Sequence, residues 1–462
     1  MDPRSLKQIV DWTGGQIHGP SNLTVNQIVT DSRLVRTGDF FVALSGERFD
    51  GHDFLGEVQE AGAAAALVCR VRSDLVALRQ IKVSDTLRAL QQMAKAYRRE
   101  LPLQAVAVTG SNGKTSTKEM IASVLGERLS VSKTIGNYNN HIGLPLTVLN
   151  TTSEDQVGVF EMGMNHAGEL APLCEIARPD FAVITNIGIA HIGHLGSREA
   201  IAQEKAVVAQ SVPAEGAVVL NANDDFTDWI AARSRARVIR AGINRGDLQA
   251  RDVRHTQTGE HFLLAHGRQT ILVKLPVHGE HMVTNACLAA GIGLSLGLEL
   301  DEIAGGLART TIPGNRLKLQ KLGPVLVIND AYNANPESMV AALKTATNFA
   351  VQGRKIAALG RMGELGAASE DGHRRVGRAV AELAFDYLVT VGEEARLIAQ
   401  AANGAGLQRT RETNTHEQAV EALLDYLEPG DLLLVKGSLS SAMDRVVRGL
   451  EAAKSQAEWR PR

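Results

Sequence analysis

The stretch Val106–Leu125, reading VAVTGSNGKTSTKEMIASVL, constrains this chain more than any other. It reads as a short buried strand, a tight turn containing Gly110 and Gly113, and a helix opened by Lys114 and Thr115. Backbone N–H groups of such a turn, together with the helix N-terminus, form a concave cradle for phosphate oxygens. Lys114 would reach the β- and γ-phosphates, and the Thr115 hydroxyl would sit on Mg²⁺. The general pattern G-x-x-x-x-G-K-[ST] is not met strictly, because position 108 is Val and the first glycine is Gly110. The tighter T-G-S-N-G-K-T version is the narrower signal. Against an ordinary strand–turn–helix connection, we read it as a nucleotide cradle in a protein that uses ATP.

The 462 residues are enough for roughly two to four domains, each with its own core. Forty-four glycines, 44% hydrophobic residues and 4% aromatics suit alternating strands and helices joined by tight turns. A net charge of −2 offers no overall attraction for nucleic acid or an anionic membrane. Cys69, Cys174 and Cys287 lie apart, without metal-ligand spacing, in apolar, Ala-rich contexts. All three are expected as buried thiols in a reducing compartment. The opening MDPRSLKQIVDW has no apolar signal core, and no run of eighteen apolar residues occurs. A cytoplasmic chain without a membrane span is therefore expected.

Three blocks emerge, at residues 1–102, 103–313 and 314–462. The first mixes short strands with turn clusters, and a helix over Asp85–Arg99 bridges to the second. In the second, continuous apolar runs in VGVFEMG, DFAVITNIG and GAVVLNANDD fit strands of a parallel sheet buried on both faces. HFLLAHGRQTILVKLPV alternates and predicts antiparallel strands flanking that sheet, before a helix over about 281–296. Pro313-Gly314 marks a hinge, after which PVLVIND, RKIAALG, FDYLVTVG and DLLLVKG repeat the strand–helix rhythm. The final KSQAEWRPR reads as a frayed tail.

Candidates for chemistry cluster at predicted strand tips. Glu161 closes the second strand of the nucleotide block, placed to ligate Mg²⁺ directly or through water; a solvated loop acid is the alternative. His191 follows the third strand in TNIGIAHIGHLGS and would be carried over the same sheet edge, whereas His194 reads as a loop histidine satisfied by backbone. Ser197 caps a helix SREAIAQEKAVVAQ, on which Lys205 interrupts an apolar stripe made with Ile201, Ala202, Val208 and Ala209. Burial would lower its pKa, and a neutral amine can take up CO₂ to form a carbamate, an oxygen ligand for Mg²⁺. A snorkelling lysine is the competing explanation. Asn139 and Asn140 in TIGNYNNHIGLPL offer uncharged amides suited to a peptide or sugar. DAYNANPESM places Asp330, Tyr332, Asn333 and Asn335 between a strand and a helix, where an acid can accept ribose hydroxyls or simply close a helix-entry turn. Arg316, in PGNR, would reach a phosphate on domain closure.

With these motifs in this order, the chain resembles the Mur ligase family across all three blocks. DAYNANP, in place of a D-Y-A-H type, resembles the last ligase of that series, and no D-N-P-R run of the preceding ligase occurs. The resemblance implies an α/β chain of three domains: a small α/β domain that holds the UDP end of a substrate, a central P-loop ATPase-like domain with a mainly parallel sheet, and a C-terminal Rossmann-like domain. The implied activity is ATP-dependent amide ligation of D-alanyl-D-alanine to UDP-N-acetylmuramoyl-tripeptide through an acyl phosphate, in peptidoglycan precursor synthesis. Gly110, Ser111, Asn112, Gly113, Lys114, Thr115 and Ser116 would bind the ATP phosphates, Asn285 adenine, Arg316 a phosphate and Asp330 the ribose. Thr115 and Glu161 would hold one Mg²⁺, and His191 with carbamylated Lys205 a second. Ser32, Gly46, Glu47 and Arg48 would hold UDP, Asn139 and Asn140 the peptide, and Tyr332, Asn333, Asn335 and Ser338 the incoming dipeptide. Family members often carry Glu two residues after the helical lysine, where this chain has Val207. A monomer is expected. The rivals are another Mur-type ligase or folylpolyglutamate synthetase, and, in a different class, a P-loop ATPase switch that makes no covalent product.

Overall fold

The computed structural model describes residues 1–20 and 22–455. Three sheets organise it, with a two-stranded ribbon of Arg4–Ser5 against Thr24–Val25 at the start. The N-terminal sheet orders its strands Gln16–His18, Arg79–Lys82, Ala65–Val68, Phe40–Val42 and Ile28–Val29, and only the first runs antiparallel to its neighbour. Helix Thr86–Glu100, capped by the Asp85 side chain, then crosses to the central sheet. Its buried face anchors the crossing: the Tyr97 hydroxyl donates to the Thr151 carbonyl at 2.8 Å, and Arg98 Nε donates to the Ala177 carbonyl at 2.7 Å.

The central sheet has nine strands. Gln104–Thr109 lies between Val157–Glu161 and Phe181–Ile184, all parallel, with Val131–Lys133 beyond the former and Ala217–Asn221, Arg237–Ile243 and Leu248–Thr256 beyond the latter. Gly259–His266 and Gln269–Leu275 finish it as the expected antiparallel flank. The strand's alternation assigns its two faces to different cores. Val106 and Val108 pack with helices Lys114–Leu125 and Glu280–Ser295, while Ala105 and Ala107 pack with Thr86–Glu100, Leu170–Ala177 and Arg198–Gln210. Both faces are dry, which is why the run is continuously apolar. The short strand Val131–Lys133 shifts the numbering expected from sequence: Glu161 ends the third strand of this block and His191 follows the fourth.

The C-terminal sheet orders Lys318–Leu322, Val325–Asp330, Leu432–Lys436, Lys355–Gly360, Tyr387–Val391 and Thr410–Thr413, antiparallel only at the first pair. Its two edge strands, KLQKL and TRET, were not among the four apolar runs that predict strands, because edges need no second buried face. Helix Asp444–Ser455 ends the description, so the expected frayed tail beyond Ser455 lies outside the described residues. One thiol departs from expectation. Cys174 and Cys287 are buried, but Cys69 is half-exposed, because the strand that would cover it ends at Val68. Among the described residues no helix is long and apolar enough to cross a membrane.

Candidate active site

The turn between Thr109 and Lys114 is set by contacts on its outer side. Gly110 has φ +148° and Gly113 +81°, and a Cβ on Gly110 would lie 1.8 Å from Thr185 Oγ1, so only glycine fits there. The Ser111 N–H donates to the Asn186 carbonyl at 3.0 Å and the Asn112 N–H to Asn186 Oδ1 at 2.9 Å. The expected cradle is the N–H groups of the turn together with those of the helix N-terminus. Asn186 occupies two of them, and the donors left open are those of Gly113, Lys114, Thr115 and Ser116 at the helix entrance. The helix dipole adds positive potential at that entrance. Lys114 folds over the turn, its Nζ donating to the Gly110 carbonyl at 2.8 Å. Burial lowers its pKa, opposed by the nearby Glu161 carboxylate.

Glu161 stands at the adjacent strand tip and is 2% exposed. Asn139 Nδ2 donates to its Oε1 at 2.8 Å, while Oε2 is buried with no hydrogen-bond partner. Lys118 Nζ, wholly buried, is 3.6 Å from that oxygen and donates instead to the Thr134 carbonyl at 2.7 Å. A buried, unsatisfied carboxylate oxygen beside the Thr115 hydroxyl's helix is a hard-oxygen donor set of the kind Mg²⁺ takes. Asn140 is used differently from Asn139. Its Oδ1 accepts from the N–H groups of Ile142 and Gly143, closing the turn into helix Gly143–Leu149.

Lys205 is 1% exposed, on helix Arg198–Gln210 capped by Ser197. Its ammonium has no hydrogen bond or ion pair among the described residues, and its pKa falls well below the usual lysine range through burial, with Lys114 adding to the fall. The neighbouring Glu204 charge opposes that fall without touching Lys205; its two oxygens accept from the N–H groups of Gly168 and Leu170. Val207 lies around the helix from Lys205, lining a cleft with Arg98, Arg178 and Gln210. A carboxylate at 207 would therefore not have reached Lys205.

His191 is held in the left-handed region at φ +64°, and its Nδ1 lies 2.6 Å from Glu364 Oε2, a residue at φ +63° in the C-terminal block. The Gly193 N–H donates to the Glu364 carbonyl at 3.1 Å, and a Cβ on Gly193 would lie 2.8 Å from the Gly366 nitrogen. His191 thus meets the opposite lobe, and no contact joins it to Glu161 or Lys205 among the described residues. Two non-glycine residues in that backbone region cost of order 1–3 kcal/mol each, which their mutual contact must offset. Sequence reasoning missed Glu364; its one signal was its place in RMGELG, directly after the strand Lys355–Gly360.

Other C-terminal residues reach the same turn. Arg316 Nη2 donates to Thr115 Oγ1 at 3.0 Å, with the guanidinium 4.0 Å over the Tyr332 ring. Asn335 Nδ2 donates to Asn112 Oδ1 at 2.7 Å. Asp330 pairs with the buried Lys436 at 2.6 Å and accepts from the Leu317 N–H, keeping lone pairs to spare. Lys436 also donates to the Asn333 carbonyl. Asn335 and Ser338 form a capping box on helix Pro336–Thr347. The Ser338 hydroxyl accepts from the Asn335 N–H and donates to the Asn335 carbonyl, keeping one lone pair for a further donor. Asn285 packs under the turn, its amide where a Cβ of Gly113 would stand. Ser32, Gly46, Glu47 and Arg48 stay apart. Ser32 opens a short 3₁₀ turn, and the Gly46–Phe49 turn is a surface feature of the N-terminal sheet on which the Glu47 and Arg48 side chains have no partner among the described residues.

An open helix entrance facing a buried carboxylate and an unpaired amine, under a second lobe, suits an enzyme that drives bond formation with a nucleoside triphosphate. Three family models match in succession: the Mur ligase family catalytic domain over residues 24–98, the Mur ligase middle domain over 108–293, and the Mur ligase glutamate ligase domain over 315–439. A UDP-N-acetylmuramoyl-tripeptide–D-alanyl-D-alanine ligase of Bacillus subtilis (strain 168) is 37% identical over 97% of this chain and 99% of its own length. A crystal structure of MurF from Acinetobacter baumannii superposes with a TM-score of 0.90 at 33% identity, covering 98% of this chain and 99% of that one. MurF ligase from Thermotoga maritima in complex with ADP does so with 0.82 at 29% identity, covering 94% and 99%. The chain belongs to the Mur ligase family, and it is an ATP-dependent ligase.

Proposed function

We propose that this chain joins D-alanyl-D-alanine to UDP-N-acetylmuramoyl-tripeptide, releasing ADP and phosphate, in cytoplasmic peptidoglycan precursor synthesis. Full-length similarity to ligases bearing that name supports the substrates. One observation carries the chemistry: Lys205 is buried without a hydrogen bond or ion pair among the described residues, near enough to Lys114 for that charge to lower its pKa further. The peptide carboxylate attacks the γ-phosphorus of ATP, an O–P bond forms, and the β–γ bridge leaves with ADP. The amine of the dipeptide then attacks the acyl carbon, the C–O bond to phosphate breaks, and the amine's proton passes to solvent. The N–H groups of Gly113–Ser116 and the Lys114 ammonium hold the phosphates, Ser111 and Asn112 shape the turn, and Arg316 swings from Thr115 Oγ1 to a phosphate oxygen.

In this reading Thr115 and Glu161 would hold one Mg²⁺, and His191 with Lys205 a second, once the neutral Lys205 amine has formed an N–C bond to CO₂ and released one proton to solvent. Such ions offset the anionic charge that repels the attacking carboxylate. Asn285 faces adenine and Asp330 the ribose. Asn139 and Asn140 line the peptide, Tyr332, Asn333, Asn335 and Ser338 the dipeptide, and Ser32, Gly46, Glu47 and Arg48 the UDP end. The working unit is a monomer divided at 102/103 and 313/314. The test is phosphate release from ATP. It should be stoichiometric with amide product and require both UDP-muramoyl-tripeptide and D-Ala-D-Ala; release with neither present would overturn the reading in favour of an ATPase switch.

A further inference from the structure

A second polar cluster lies away from the phosphate turn, where the antiparallel flank of the central sheet meets the C-terminal block. His255 and Glu260 are directly opposed across the Thr256–Gly259 turn, and His278 follows the next strand just before helix Glu280–Ser295. One ligand atom from each of the three residues lies within 4.8 Å of the other two. Glu260 is 2% exposed and accepts from the Gly279 N–H at 2.7 Å, with His255 Nδ1 at 3.0 Å from the same oxygen. No lysine or arginine pairs with it among the described residues. His278 is 6% exposed, and its Nδ1 is buried without any hydrogen-bond partner. The Phe349 ring closes the group from the C-terminal block, 4.8 Å from the His255 ring and 4.7 Å from that of His278.

Such a group has the wrong chemistry for a plain core. A buried carboxylate with no lysine or arginine beside it, held by the Gly279 N–H and His255, and an imidazole with an orphaned nitrogen each carry a desolvation cost. Half-buried His255 leaves a side open to solvent. We propose that His255, Glu260 and His278 form a binding site for a single divalent transition-metal ion of the zinc or cobalt class. Two imidazoles and one carboxylate suit those ions and not Mg²⁺, whose preference is oxygen, and three protein ligands leave one position for water. The ion would tie the ribbon to the entrance of helix Glu280–Ser295 within the central block, beneath Phe349. The site is independent of the ligase reading, since it uses none of the residues assigned to nucleotide or substrate.

The test is a Co²⁺ titration of the untagged, nucleotide-free full chain in excess Mg²⁺, followed by visible d–d absorption. One Co²⁺ per chain, displaced by one Zn²⁺, is expected. His278→Phe, which keeps an aromatic ring against Phe349, should weaken binding by more than the 10–100-fold typical of losing an outer-shell partner. Glu260→Gln, whose amide oxygen still accepts from Gly279, should do the same. If either variant fails to fold, His255→Gln at the solvent side gives the same reading. Absence of the band in the parent chain, or a band unchanged in the folded variants, overturns the proposal.

Discussion

The strand tips of the central and C-terminal sheets both present polar groups to the same space, yet they are finished in opposite ways. At the central tips the groups are left open among the described residues: Glu161 Oε2 has no hydrogen-bond partner and only a 3.6 Å ion pair with Lys118, Lys205 has neither, and four helix-entrance N–H groups have no partner. At the C-terminal tips the groups satisfy one another. Asp330 holds Lys436, Lys436 holds the Asn333 carbonyl, Arg361 pairs with Glu394, and Asn335 caps its own helix. Unsatisfied buried groups cost stability and are retained where charge must be received from outside. Satisfied ones make a rigid lobe that presents a few side chains, such as Arg316, to its neighbour. Substitutions at central tips should therefore strike turnover, and those at C-terminal tips should strike stability.

The largest effect tests this directly. Lys205→Met fills a similar volume and removes an unpaired buried amine, so Tm should hold or rise while kcat falls about 10²–10³-fold, the cost of losing one preorganised electrostatic group. ATP affinity, read by equilibrium binding, should change little. Full activity would remove Lys205 from the mechanism. Its titration gives a second check with a definite sign. A carbamate forms only from the neutral amine, and the lowered pKa makes that form available at lower pH than an ordinary lysine would allow. Activity should therefore fall as pH drops, and added bicarbonate should restore it on that acid limb alone.

Asp330→Asn should show the opposite pattern. It strands Lys436, which is 3% exposed on its side chain, and breaking a buried pair from one side costs about 3 kcal/mol. Denaturant unfolding should report this loss in the absence of any nucleotide. An unchanged midpoint would mean that the C-terminal tips are no more self-sufficient than the central ones. Glu161→Gln comes next. The amide keeps a partner for Asn139 but loses the charge, so the Mg²⁺ needed for half-maximal activity should rise about tenfold, equivalent to about 1.4 kcal/mol, with Tm unmoved.

The contrast also explains what could be read from the chain alone. The phosphate turn was legible because its glycines and Lys114 are contiguous, and Lys205 because a charge breaking an apolar stripe at helical spacing has few destinations but the interior. Partners brought from far along the chain were not. Asn186 reaches Ser111 and Asn112 from another strand tip, and Glu364 reaches His191 from another sheet. Neither has a local pattern that announces its partner. Short polar edge strands such as KLQKL escaped for the related reason that they bury little, and Cys69 was misplaced because its strand ends one residue early. Sequence periodicity reports burial, and it is silent on which open group meets which.

The smallest effect separates a cap from a contact. Asn335 and Ser338 share a motif, but only Asn335 also reaches the phosphate turn, through Asn112. Ser338→Ala removes the reciprocal half of the capping box and should cost under about 1 kcal/mol of stability, with the bond to Asn112 kept. Asn335→Ala should cost about 1 kcal/mol as the lost cap, and should in addition raise a KM, because the Asn112 side of the turn loses its tether. Equal effects of the two substitutions on stability and on KM would mean that the bond to Asn112 carries nothing, and that this corner of the C-terminal lobe is capped helix and no more.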